Sequence, residues 1–149
     1  MPRYCQQDCV DLSFPASEVA ASHGIAVLSQ QLIDSGVPAS RAGDIKIALA
    51  EAINNVVEHA YAGVKREKVQ IHCRICKEAL EVQILDTGKP MPGLEPPDGS
   101  PPSIETPRQD LPEGGFGWFL ILQLASKVRY EKQDGHNCLR LWFNFAVPR

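Results

Sequence analysis

Read at 100° per residue, the angle that follows from about 3.6 residues per turn, the stretch from Ile45 to Ala62 separates into two sides. Ile45, Leu49, Ala52, Ile53, Val56 and Ala60 fall on one apolar stripe, while Glu51, Asn54, Asn55, Glu58 and His59 gather opposite. This pattern predicts a long amphipathic helix, opened by Pro38 to Ser40 and closed by Gly63. An earlier helix is predicted over residues 18 to 35, with Ser17 as its N-cap and Gly36 as its stop. Val19, Ile25, Leu28, Leu32 and Ile33 supply its apolar side. Period-two alternation predicts strands at 4 to 14, closed by Pro15, and at 68 to 76 and 79 to 86, joined at Lys77-Glu78. The mostly apolar run WFLILQLASKV predicts a third helix. Two last strands, 127 to 133 and 138 to 147, turn at Asp134-Gly135. The expected fold is α+β: a two-layer sandwich with helices covering one face of a mixed, mostly antiparallel sheet.

One stretch breaks the pattern. Residues 90 to 112 hold eight of the twelve prolines, and no helix or core strand survives such spacing. A long structureless loop inside a compact domain is usually a lid, a binding loop or a linker. The roughly 37 residues after it are too few for a second core, so residues 1–149 are expected to form one domain with a lid at about 90 to 113.

Composition narrows the function. Hydrophobic residues make up 44% and charged residues 22%, as in soluble globular domains. A net charge of −3 offers no electrostatic footprint for nucleic acid. The start, MPRYCQQDC, lacks the basic-then-apolar pattern of a signal peptide, and no apolar run approaches the length that spans a membrane. The expectation is a cytoplasmic protein with no membrane partner. Five cysteines, an odd number, fit reduced thiols better than a disulfide framework. Cys73 and Cys76 form a CxxC, but an offset of three puts them on opposite faces of a strand, which argues against a zinc or redox pair.

Three segments carry candidate chemistry. Glu51, Asn55 and His59 are spaced four apart and stack within an arc of roughly 80° on the long helix. Solvated helix faces favour Lys, Glu, Arg and Gln, whereas paired asparagines cost helix stability. A carboxylate, an amide oxygen and an imidazole on one face can handle a proton and a metal ion. Asp86-Thr87-Gly88 ends a strand, where an aspartate can accept a hydrogen bond from an exocyclic amine. Gly114, Gly115 and Gly117 precede a helix, where backbone N–H groups can approach an anion. No Gly-Lys-Ser/Thr follows, so this is not a Walker A loop.

Taken in order, these segments resemble a known family. EAINNVVEHAY (51 to 61) resembles the N-box of the GHKL ATPase and kinase superfamily, with its Bergerat, histidine-kinase-like fold. LDTGKPMP (85 to 92) resembles the first glycine box, EGGFGWFLILQLASKVRY (113 to 130) the second, and DGHNCLRLWF (134 to 143) the last. Within the superfamily the chain is most similar to the anti-sigma-factor serine kinases of bacterial partner-switching systems. The resemblance implies Glu51 as general base on the acceptor serine and Asn55 as ligand to the Mg²⁺ that bridges the phosphates of ATP. It implies His59 on the phosphate side, Asp86 on the adenine amine with Gly88 admitting the ring, and Gly115, Phe116 and Gly117 at the phosphates. Arg108, the lid's only basic residue, is a phosphate or partner contact, with Lys89 a second candidate. Where the wider superfamily often carries a Gly-Thr pair, Gly135-His136-Asn137-Cys138 stands, so no nucleotide contact is assigned to the last strand.

The function implied is an ATP- and Mg²⁺-dependent protein serine kinase that phosphorylates an anti-sigma-factor antagonist of the STAS type and sequesters a sigma factor. The resemblance also suggests a homodimer. The alternative is a binding-only regulator that captures a partner with little or no phosphotransfer; the Glu51–Asn55 pair favours the enzyme. The catalytic domain of a sensor histidine kinase is a further option, which lacks upstream room for a phosphoacceptor hairpin.

Overall fold

The computed structural model describes residues 8–60, 67–89 and 115–145. Five strands, β1 (Asp8–Pro15), β2 (Lys68–Ile75), β3 (Ala79–Asp86), β4 (Lys127–Gln133) and β5 (His136–Asn144), form one sheet in the order β1-β2-β3-β5-β4. The three helices are α1 (Glu18–Asp34), α2 (Ala39–Asn55) and α3 (Gly115–Leu124).

All four strand pairings are antiparallel, where a mixed, mostly antiparallel sheet was expected. The reason lies in the connections. One crossover helix returns a chain parallel to the strand it left. Here two helices in succession separate β1 from β2, and the second undoes the return of the first. The other close connections are tight: Cys76 to Glu78 joins β2 to β3, and Asp134-Gly135 joins β4 to β5. Asp134 and Gly135 both have positive φ, +50° and +82°, as a two-residue type I′ hairpin turn requires. That turn starts β5 at His136, two residues before its expected start.

One face of the sheet is apolar and covered. Val69, Ile71, Cys73 and Ile75 point inward from β2, while Lys68, Gln70, His72 and Arg74 point to solvent. Row by row the inward side chains line up across the sheet, as in Leu12, Ile71, Ile84, Leu139 and Tyr130. Ile45, Leu49 and Ile53 of α2, Leu28 of α1 and Ile121 of α3 complete the core. Each such burial contributes about 1.5–3 kcal/mol. Cys73 is buried in this layer. Burial, aided by the charge of Asp11, pushes its thiol up to about 12. Cys76 lies beyond the strand end, and no group of His, Cys, Asp and Glu among the described residues is arranged to hold a metal.

Caps fix the helix ends. The Ser17 hydroxyl accepts from the Ala20 N–H. Gly36, at φ +109°, ends α1 in a Schellman motif: the Val37 N–H reaches the Leu32 carbonyl and the Gly36 N–H the Ile33 carbonyl. Gly24 lets α1 approach β1, because a Cβ there would lie 2.7 Å from Cδ2 of the buried Phe14 ring. Gly24→Ala is expected to destabilise the fold by about 1 kcal/mol, since overpacking of roughly 1–3 kcal/mol exceeds the helix-propensity gain of about 1 kcal/mol. A lower urea midpoint, partly restored by adding Phe14→Leu, would show it. An unchanged midpoint would mean that the ring yields freely.

Candidate functional site

β3 finishes and β5 starts at one end of the sheet, and α2 and α3 are both directed toward that end. The Arg41 Nε–H near the start of α2 donates to the Asn144 carbonyl at the end of β5, and Asn144 pairs with Ala79, where β3 begins. From there the 17 residues of α2 run about 25 Å, matching the roughly 26 Å of an eight-residue strand. Because its buried side is in the core, α2 travels over the sheet and delivers Glu51 and Asn55 toward the end where β3 finishes and β5 starts. α3 runs the other way. The N–H and hydroxyl of Ser126, just after α3, both donate to the Trp142 carbonyl, and Ile121 is buried. Packed against α2, α3 thus points its Gly115 end toward the same place.

At that end Asp86 is 5% exposed and Asn137, its cross-strand partner, 2%. The Asn137 Nδ2 donates to Asp86 Oδ1 at 2.8 Å and to the Gly88 carbonyl at 2.9 Å. The Gly88 N–H also donates to Asp86 Oδ1, at 2.9 Å. Both bonds to the carboxylate fall on one oxygen, which leaves Oδ2 for a ligand. Burial raises the Asp86 pKa; the bonds from Asn137 and Gly88 and the nearby His136 oppose the rise. A buried carboxylate with one oxygen anchored is a directed acceptor for a donor group.

On α2, Asn55 is 9% exposed and its Nδ2 is buried without a hydrogen-bond partner. Glu51 is half-buried and Asn54 exposed. The expected polar row therefore runs into the interior at Asn55, unlike a solvated face. It does not continue as an α-helix to His59. Val56–Ala60 form a π-helical turn, whose i→i+5 bonding widens the helix, so the step from Asn55 to His59 departs from the 100° spacing. The side chain of His59 lies outside the described residues, as do Arg108 and the lid from 90 to 113. Gly115, Phe116 and Gly117 occupy the first turn of α3.

Residues 14–143 match the family described as the histidine kinase-like ATPase domain. The chain belongs to this histidine kinase-like ATPase family. Among curated relatives, it is 34% identical over 146 residues to the serine-protein kinase RsbW of Halalkalibacterium halodurans, across 89% of this chain and 82% of the relative. It is 32% identical over 130 residues to RsbW of Oceanobacillus iheyensis, across 86% and 82%. To RsbW of Bacillus subtilis it is 35% identical over 93 residues, across 62% and 58%. Among solved structures, that of the RsbU and RsbW domains of Rv1364c from Mycobacterium tuberculosis superposes with a TM-score of 0.65 at 20% identity, covering 95% of this chain and 33% of that one. That likeness shows the fold.

As a histidine kinase-like ATPase, the chain has donors and acceptors suited to a nucleotide. The buried, unpartnered Nδ2 of Asn55 calls for an acceptor such as a phosphate oxygen, since a buried donor left unpaired costs about 1–3 kcal/mol. The amide's oxygen is a hard ligand of the kind Mg²⁺ takes. Asn137 is the site residue that motif reading missed, because it stands where the family pattern departs. Its only sequence signal is register: it sits opposite Asp86 once the β4–β5 turn is placed at Asp134-Gly135.

Proposed function

We propose that this chain is a Mg-ATP-dependent protein serine kinase that phosphorylates a STAS-type anti-sigma-factor antagonist and, in its other state, sequesters a sigma factor. The observation that carries the reading is the delivery of Glu51 and the buried, unpartnered Asn55 toward the anchored Asp86 carboxylate. The relatives named serine-protein kinases support it. Asp86 Oδ2 accepts the adenine amine, Gly88 gives the ring room, and Gly115, Phe116 and Gly117 present α3 to the phosphates. His59 stands on the phosphate side, and Arg108 works from a lid over 90 to 113 in a single domain of the cytoplasm. Asn55 would hold Mg²⁺, which would neutralise charge on the phosphates. Glu51 takes the proton of the acceptor serine as its oxygen forms a bond to the γ-phosphorus and the bond to ADP breaks. Phosphoryl transfer needs mainly positioning and charge neutralisation, which these residues supply. The phosphoserine adds nearly two negative charges and releases the antagonist, freeing this protein for the sigma factor.

The test combines binding and transfer. Mg-ATP at 100 times its Kd should stabilise the fold by about 2.7 kcal/mol, raising Tm by a few degrees, and Asn55→Ala should abolish the rise. Labelled γ-phosphate should then appear on serine of a STAS-type antagonist from the same proteome. A Tm rise without transfer to any such antagonist would leave a binding-only regulator.

A further inference from the structure

Asn137 does more than tie two strand ends together. Its amide orientation is forced: Asp86 Oδ1 and the Gly88 carbonyl are both acceptors, so the nitrogen must face them. Both N–H bonds are thereby used, and the oxygen is turned away. That oxygen, Oδ1, is buried and has no hydrogen-bond partner. A structural clamp would be complete without an orphaned acceptor, which costs stability until a donor arrives. The Asp86 carboxylate shows the same one-sidedness, with Oδ1 doubly bonded and Oδ2 left over. An apolar or small residue at 137 would leave the carboxylate held by the Gly88 N–H alone and the Gly88 carbonyl without this donor.

Resting on the nucleotide reading above, we propose that Asn137 is a positioning and specificity-determining residue, which makes the pocket select a purine with an exocyclic amine at C6. Asn137 Nδ2 locks Asp86 so that Oδ2 faces the base. Asn137 Oδ1 accepts the donor that comes with the base, either the amine itself or a water it holds. A 6-amino purine brings two N–H donors to this acceptor-lined corner. A 6-oxo purine puts a carbonyl oxygen where that amine would sit, against the Asp86 and Asn137 acceptors, and keeps only its ring N1–H as a donor on that edge. Rejection of that kind is strong because it strands buried polar groups, not because of shape.

The test is nucleotide choice measured by equilibrium binding of Mg-ATP and Mg-ITP to the full chain, with no turnover required. Wild-type protein should favour ATP by at least about 100-fold. Asn137→Ala should lose about 10–100-fold in ATP affinity and little in ITP affinity, so that the ratio collapses. Asn137→Thr keeps a hydroxyl donor for Asp86 and should recover part of the preference; it also serves if the alanine variant folds poorly. Each ratio is internal to one protein, so a general loss of stability cancels. Equal losses for both nucleotides, or an unchanged ratio in both variants, would overturn the proposal while leaving the nucleotide site intact. Wild-type protein that binds neither nucleotide would overturn the nucleotide reading, and this proposal with it.

Discussion

Glu51→Gln is expected to lower phosphotransfer to the antagonist by about 10²–10⁴-fold, the range over which a positioned general base contributes. Mg-ATP binding should hardly change. The amide keeps the shape of the side chain, and Glu51 sits one helical turn before Asn55, so the variant removes the proton acceptor and spares the residue proposed at the metal. Single-turnover transfer from bound ATP separates the two effects. Transfer that survives at the wild-type rate would assign the proton to another group and leave Glu51 with a positioning role.

Asp86→Asn is expected to move stability and binding in opposite directions. The folded-state pKa of Asp86 is raised above its ordinary value, first by burial, so the folded chain holds this proton more tightly than the unfolded chain. The group favours folding while protonated, and that contribution is lost as pH rises from the unfolded value through the folded one. Above that folded value the wild-type protein carries an ionised carboxylate at a cost the amide avoids. The amide oxygen of the variant would still accept from Asn137 and Gly88. The nucleotide-free variant should therefore unfold at a higher temperature than wild type at about pH 7, with the gap shrinking as the pH falls toward the ordinary carboxylate range. The amide nitrogen, however, would be a donor facing a donor amine. Losing a hydrogen bond to a charged group costs about 1.5–3 kcal/mol, or roughly 10–150-fold in ATP affinity. With saturating ATP the order of the two melting temperatures should close or reverse. A variant less stable than wild type at every pH would show that the carboxylate is held by more than it costs.

These expectations depend on features that differ in how openly the sequence displays them. The apolar stripe of α2 was legible because burial follows helical period: Ile45, Leu49, Ala52, Ile53 and Val56 are all buried. The alternation in β2 and β3 was legible for the same reason, as were the Ser17 cap and the Asp134-Gly135 turn, each set by a local residue preference. The π-helical turn after Asn55 was not, because a change of hydrogen-bond register leaves the composition of the stretch untouched. The sheet was expected to be mostly antiparallel; that it is uniformly so depends on how two helices fold back, not on the strands themselves. Asn55 was placed on the polar side, but only the structure shows it buried and lacking a partner. Asn137 escaped notice because motif reading looks for a pair that this chain does not carry, while its role comes from lying opposite Asp86.

The Asp86–Asn137 contact spans 51 residues of sequence, and this has a kinetic consequence. The β2–β3 and β4–β5 hairpins close over two or three residues and can form on a timescale of about 1–10 μs. Joining them into one sheet requires β3 to meet β5 across the whole proline-rich stretch, a closure that costs chain entropy before its contacts repay it. The Asp86–Asn137 corner exists only after that closure. A chain arrested with both hairpins made but unjoined has its strands and turns and yet no pocket, so newly made protein gains the ability to bind nucleotide only when the two halves of the sheet have found each other.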